Sequence, residues 1–368
     1  MSHKSLSPVV LFLGLVGLAT SAMAGYPRVF ESMSGYPSVF GPVVADVLGD
    51  GRFILYEGSG TSGGNIYIED AAGSGTFGLV ATGYQGDPGF IAVAPDGHTC
   101  LIGAGGVDWV GDIENDWVWL FDADNPSNAP ATDPGTGYVA DGLAIVRNNF
   151  WGVWIDSTHV LIESADEFWS GQIGILDVAT GTYRVVVNKV GSTSSIVLGK
   201  GYMASYAFST LGWDPNKGET RRFHVPSLLD IFNDAAYDPL TSPVPWTSGA
   251  VLGTYPDLNA GPSAVGDAGV LMFGSHVGQI AYVSPTNGEL IGPASNVPLG
   301  GTGSVRPYYN AETRKVFVTE TDWGAYTFSG YISEDKLAEL PAAGAVALFA
   351  LAAVLAAVAR RGLQSRVL

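Results

Sequence analysis

The chain has 368 residues, including 50 glycines and 21 prolines, with 11% aromatics; this disfavours long surface helices and suits half-buried strands. Its formal charge is −18, and setting aside Lys4 and Arg360, Arg361 and Arg366 of the acid-free ends leaves −22 on the body, a surface that repels nucleic acid and anionic lipid headgroups. The single cysteine, Cys100, excludes an internal disulfide framework, and the lack of Cys-x-x-Cys-His excludes covalent c-type haem.

Residues 1–24 read as a secretion signal: a basic start at Lys4, an apolar stretch from Pro8 to about Ala19, and Ala22-Met-Ala24 before a cleavage point at Gly25. From there short apolar runs recur behind turns rich in Asp, Asn and Gly. Asp46 to Gly51 precedes Arg52–Tyr56, Pro95-Asp-Gly97 precedes His98–Ile102, and Asp156-Ser157 precedes His159–Ile162. Gly199-Lys-Gly201 precedes Tyr202–Tyr206, Gly266 to Gly269 precedes Val270–Phe273, and Glu312 to Arg314 precedes Val316–Thr319. Second strands follow at Trp117–Phe121, Gln172–Asp177 with Tyr183–Val187, and Gln279–Val283 with Glu289–Ile291. The unit is about 45 residues where it is clean, the period of propeller blades, and six landmarks imply six or seven blades. A pair of β-sandwiches is the competing architecture. The near-repeat Gly25–Phe30 and Gly35–Phe40 stands unpaired at the start, so N-terminal strands are expected to complete the last blade and remove a sheet edge.

Two insertions break the rhythm. The first, Gly105 to Gly137, alternates Asp112, Glu114 and Asp116, so an extended segment projects all three carboxylates to one side, as oxygen ligands for Ca²⁺ require. Asp46 and Asp50 form a second calcium candidate, although Leu48 stands where an Asp-Gly-Asp-Gly loop carries its central acid. Asp108, Trp109 and Trp117 of the same insertion pair flat aromatics with a carboxylate, a combination that holds sugar rings; the plainer reading makes these acidic loops and core rings. The second insertion, from Arg221 to Trp246, carries Val225–Tyr237, with Pro226 at a helix start and apolar residues at helical spacing. Gly60-Thr-Ser62-Gly-Gly64 and the Gly-x-Gly-x-x-Gly strings at Gly58 and Gly73 lack the strand-turn-helix setting of a nucleophile elbow or dinucleotide loop. His98, His159, His224 and His276 form no metal-binding pair in sequence.

The chain closes with an apolar run from Ala342 to Ala359 after Pro341, stopped by Arg360-Arg361. About 18 residues span roughly 27 Å of helix, close to a bilayer core, and the arginines fix that end on the cytoplasmic side.

The phrases Ala94–Ile102 and Gly171–Gly181 resemble those of YVTN and quinoprotein-like β-propellers, a resemblance that implies fold and little about activity. Leu340-Pro341-Ala-Ala-Gly344, the Ala/Leu/Val run and Arg360-Arg361 resemble a PEP-CTERM sorting tail. The chain lacks the usual Glu-Pro after Pro341 and extends past the arginines to Leu368; a permanent anchor or a buried helix are the alternatives. The sorting-tail resemblance implies transient inner-membrane retention, processing by an exosortase-type enzyme, and delivery to the cell surface or extracellular matrix of Gram-negative bacteria that make exopolysaccharide.

The expectation is therefore an all-β chain: signal peptide at 1–24, a six- or seven-bladed β-propeller over 25–335, and a sorting or transmembrane segment at 336–368. Its expected function is non-catalytic binding of polysaccharide or a surface protein, with calcium as a candidate ligand. The competing function is a secreted enzyme that cleaves a polysaccharide or lactone in the central channel.

Overall fold

The computed structural model describes residues 31–32, 43–58, 64–84, 87–105, 118–128, 149–165, 171–189, 193–212, 218–255, 264–265, 269–275, 278–291, 295–296, 304–313, 315–322 and 327–334. Residues 1–24, expected to be a signal peptide, and the segment 336–368 lie outside the described residues, and no described helix is long and apolar enough to cross a membrane.

Strand β1 (Glu31–Ser32) opens the described chain. The first sheet is β2 (Val43–Val47), β3 (Phe53–Glu57), β4 (Gly64–Glu69) and β5 (Phe77–Tyr84). The second is β6 (Asp87–Val93), β7 (Thr99–Gly105) and β8 (Val118–Asp122), and the third is β9 (Trp151–Trp154), β10 (His159–Ala165), β11 (Gly171–Asp177) and β12 (Thr182–Asn188). The fourth holds β13 (Thr193–Leu198), β14 (Tyr206–Leu211) and β15 (Glu219–His224), then helix α1 (Val225–Asn233) and a short strand β16 (Val244–Pro245), before its outer strand β17 (Ala250–Thr254). The fifth is β18 (Ala264–Val265), β19 (Leu271–Gly274), β20 (Gln279–Val283) and β21 (Ser295–Asn296). The sixth is β22 (Ser304–Asn310), β23 (Lys315–Asp322) and β24 (Thr327–Glu334).

Neighbouring strands within each sheet are antiparallel, with one exception: β16 leaves the fourth sheet and adds to the third, parallel to β12, with Val244 opposite Val187. Arg184 secures that crossing by donating from Nη1 to the carbonyls of Phe232 (2.6 Å) and Asp234 (2.8 Å). At the other end of the chain, β1 pairs with β24, Glu31 opposite Ile332 and Ser32 opposite Tyr331, so the N-terminal strand completes the last sheet.

The sheets follow one another in a cycle. First strands meet in the order β2, β6, β9, β13, β18, β22, and β22 packs back on β2. Each joint carries a hydrogen bond. Val93 N donates to Asp46 (2.7 Å), Trp154 Nε1 to the Ala92 carbonyl (2.9 Å), Lys189 Nζ to Ser209 Oγ (2.8 Å) and Tyr255 Oη to the Gly288 carbonyl (2.6 Å). Val305 N donates to the Ser275 carbonyl (3.1 Å), and Thr319 Oγ1 to the Val43 carbonyl (3.3 Å). Burial falls along a sheet from the second strand to the last: all of β3 is buried, whereas most of β5 is not. This explains why second strands read as continuous apolar runs.

The tight turns after first strands follow one chemistry. Asp96 Oδ1 accepts from His98 N (3.0 Å) and Thr99 N (2.9 Å), Asp156 Oδ1 from Thr158 N and His159 N (both 2.8 Å), and Asn310 Oδ1 from Glu312 N and Thr313 N (both 3.0 Å). Gly97, at φ +84°, takes the backbone that an L side chain disfavours, and its carbonyl accepts Gly49 N at 2.7 Å from the neighbouring turn.

Two sequence expectations need correction. Tyr202–Tyr206 is not a strand: Gly201–Met203 is a 3-10 turn, Tyr202 is 74% exposed, and β14 begins at Tyr206. Glu289–Ile291 gives a single bridge, Val283 to Leu290, and not a strand. The expected helix forms from Val225 and stops at Asn233, four residues before Tyr237, as Asp234 turns extended (ψ 121°).

Candidate functional site

Each first strand begins at one end of its sheet, called here the strand-start end, and runs to the tight turns at the opposite, turn end. Second strands return to the strand-start end and third strands leave from it. Buried polar side chains are distributed unequally between these ends. Glu57, Asn149, Glu163, Ser164, Lys189, Ser195, Ser209, Thr210, Thr220, Ser275 and Thr319 all lie in the strand-start half, while Glu69 and Asn310 lie at the turn end. Removing polar groups from water has no folding benefit of its own, so their concentration at one end marks it as the candidate functional end.

Beneath this end, aromatics from sheets that are not neighbours meet. Trp151 of β9 and Tyr308 of β22 stack at 5.9 Å with 25° between ring planes. Their strands are not neighbours in the cycle, so the two rings meet across the centre. Tyr308 is 4% exposed and its hydroxyl has no hydrogen-bond partner by strict geometry among the described residues; the same holds for the buried Nη1 of Arg306, two residues nearer the strand start on the same face of β22. Burial pushes the Tyr308 phenol up, against the Arg306 charge beside it, so it stays a donor at neutral pH. Tyr308 lies beside Arg306, Thr319 and the Ala45 backbone, yet no well-formed hydrogen bond satisfies either group, and a ligand oxygen or a bound water could do so.

Glu57 ends β3 at the same end and is 5% exposed. Burial raises its carboxyl above the usual range, and hydrogen bonds from Asn65 Nδ2 (2.5 Å) and Tyr67 offset this in part. Glu163 and Lys189 form a second acidic–basic pair, both fully buried, with Nζ 2.6 Å from Oε1. Ser209 Oγ also donates to that oxygen, and Lys189 Nζ lies 4.6 Å from the Trp246 ring centre. Burial pushes Glu163 up, against the pull of Lys189, while Glu163 Oε2 stays without a partner among the described residues. With no exposure at either side chain, this cluster joins the third and fourth sheets.

Asp108, Trp109, Asp112, Glu114, Asp116 and Trp117 lie outside the described residues; they belong to the connection between Gly105 and Val118, whose first end pairs with Asp87 at the strand-start end. Asp46 and Asp50 are described. Asp46 accepts Val47 N (2.8 Å) and Val93 N, and Asp50 accepts Arg52 N (3.1 Å) and Arg52 Nε (2.6 Å), so both carboxylates are turned to N–H groups. Trp151 and Trp154 are 8% and 6% exposed and fill the interior.

One His/Asp group is present that sequence spacing did not reveal: His98, Asp122 and Asp124 bring ligand atoms within 4.8 Å of one another at the turn end. His98 Nδ1 lies 3.3 Å from Asp122 Oδ1, and hydrogen bonds from Asn125 and the Asp124 N–H hold the Asp122 carboxyl below its usual range. The third sheet repeats the pattern with His159 beside Asp156 (2.9 Å) and opposite Asp177, which identifies it first as turn architecture. Cross-strand pairing, invisible to spacing along the chain, unites these residues.

No protein-family model matches the chain, and no curated protein matches it. Among solved structures it is similar to a gluconolactonase from Xanthomonas campestris, at 10% identity and a TM-score of 0.53, over 84% of this chain and 99% of that one. It also aligns with the protein U3-55K at 10% identity and a TM-score of 0.49, over 84% of this chain and all of that one. At such identity the first likeness supports a β-propeller-like fold and nothing about chemistry.

Proposed function

We propose that the chain is a closed six-bladed β-propeller, exported and displayed at the cell surface or in the matrix, that binds polysaccharide without cleaving it. The ligand is taken at the strand-start end. The observation that carries this reading is the pair of buried polar groups that lack a well-formed hydrogen bond, Arg306 Nη1 and Tyr308 Oη, beside the Trp151–Tyr308 stack. Aromatic faces with fixed donors suit sugar rings and their oxygens. Asp108, Trp109, Asp112, Glu114, Asp116 and Trp117 lie outside the described residues, and their alternating carboxylates and neighbouring aromatics in sequence support calcium and sugar as ligands. The sorting-tail resemblance supports export and an exosortase-type partner, with exopolysaccharide or a surface protein as the bound material.

A second reading is hydrolysis of a polysaccharide or lactone, favoured by Glu57, a buried carboxyl of raised pKa at the same end. A glycan array combined with a hydrolysis screen on the full chain separates the two: retention without turnover supports binding, and turnover abolished by Glu57→Gln overturns it. Lack of thermal stabilisation by millimolar Ca²⁺ removes calcium.

A further inference from the structure

We infer that a cleft between α1 and the fourth sheet is a separate binding site for a carboxylated sugar unit. The cleft has a volume of about 350 Å³, at the low end of the range of about 300–1,000 Å³ that small-ligand pockets occupy. It lies at the turn end of β14 and β15, away from the axial donors. Strand geometry places Arg222 and His224 on one face of β15, and Tyr206 stands directly opposite His224 on β14. The Arg222 guanidinium rests 5.5 Å from the Tyr206 ring centre, and the His224 ring is tilted against the same tyrosine at 5.5 Å.

Charge is the decisive feature. Among the described residues no Asp or Glu lines the cleft, although the whole chain carries −18. Nearby arginines are engaged by the protein itself: Arg221 donates to Glu219 (2.5 Å) and to the carbonyls of Thr247 and Gly249, and Arg184 to Phe232 and Asp234. Arg222 has no carboxylate partner among the described residues; its guanidinium is oriented by Tyr206 alone and presents a planar fork that matches a carboxylate. His224 is oriented by Ser227, Nδ1 to Oγ 2.9 Å, so its other ring nitrogen is the one left to meet a ligand. Leu228, Ile231 and Val244 form an apolar wall suited to the C–H face of a pyranose, and Ser227 and Ser248 offer hydroxyls. An anionic group and an apolar ring face on one compact ligand describe a hexuronate.

The inference shares with the proposed function only the premise that the protein meets glycans; the sites are distinct and fail separately. Calorimetry on the full chain with galacturonate, galactose and sulfate tests it, alongside Arg222→Met and Ser227→Ala. Galacturonate is expected to bind at least tenfold more tightly than galactose or sulfate. Arg222→Met should weaken it at least tenfold and Ser227→Ala several-fold. Absence of galacturonate binding, equal binding of galactose or sulfate, or no effect of Arg222→Met overturns the inference. Should Arg222→Met fail to fold, wild-type selectivity and galacturonate-induced hydrogen-exchange protection over 222–231 decide it: protection there supports the site, and protection elsewhere alone overturns it.

Discussion

The carboxylate of Asp46 on β2 accepts the amide N–H of Val93 on β6 at 2.7 Å, joining the first strands of consecutive sheets. Burial raises its pKa from 3.8 to about 6, against the N–H groups of Val93 and Val47 that favour the ion. A raised carboxyl means that the folded chain binds the proton more tightly than the unfolded one. The associated stability is therefore complete below about pH 4 and is lost as pH rises through about 6. Urea denaturation should show a loss of about 2 kcal/mol from this group between pH 4 and pH 7. Asp46→Asn, which cannot accept both N–H groups, should remove that slope and be less stable than wild type at pH 4; an unchanged slope would refute the assignment.

Lys189 and Glu163 share no exposure, so breaking the pair strands a charge in the interior. Lys189→Met alone is expected to cost about 3–5 kcal/mol. Adding Glu163→Gln should recover a large part, because a neutral amide in place of the carboxylate leaves no buried charge. A denaturation double-mutant cycle measures the coupling, and additive losses would contradict it.

The Phe90 ring of β6 lies against both Gly103 of β7 and Gly152 of β9, where an added Cβ would collide with the ring. Gly152→Ala is expected to destabilise by about 1–3 kcal/mol through overpacking. Combining it with Phe90→Leu should restore part of the loss in thermal melts, since a smaller side chain makes room for the methyl.

The last sheet is completed by β1, whose two residues pair with β24 while the rest of the chain supplies the other strands of that sheet. A chain lacking residues 25–32 should melt at least about 5 °C lower and self-associate through the freed edge of β24. Calorimetry with sedimentation checks both effects, and an unaltered monomer of equal melting temperature would argue against completion of the sheet by β1.

Much of this architecture was legible because its determinants are local. Asp96-Gly97 and Asp156 introduce β7 and β10 through side-chain-capped turns, and Phe53–Tyr56 is apolar throughout because sheets cover both its faces. Tyr202 misled because it belongs to an apolar-looking run, yet it stays exposed with its hydroxyl 2.6 Å from Thr286 Oγ1 in the next sheet. The site was far less legible. Arg306 and Tyr308 gain meaning only when Trp151, more than 150 positions away, arrives from across the axis, and no spacing along the chain encodes that meeting.

Arg306 yields the test that bears most directly on function. Its Nη1 and the Tyr308 hydroxyl are buried groups with no well-formed hydrogen bond among the described residues, and Trp151 stacks on the Tyr308 ring. A ligand oxygen that satisfies both donors gains charge-assisted hydrogen bonds out of water, while removal of the guanidinium leaves that oxygen unpaired. Arg306→Met retains most of the stem packing and should therefore weaken glycan retention at least tenfold, with little change in melting temperature. Tyr308→Phe keeps the stack and removes one donor, so its loss should be smaller, about 1 kcal/mol or several-fold. Trp151→Ala, by contrast, opens the interior and should cost about 3–5 kcal/mol of stability along with binding. Equal retention by wild type and Arg306→Met on a glycan array would mean that the axial donors are satisfied by water and that binding, if any, takes place elsewhere.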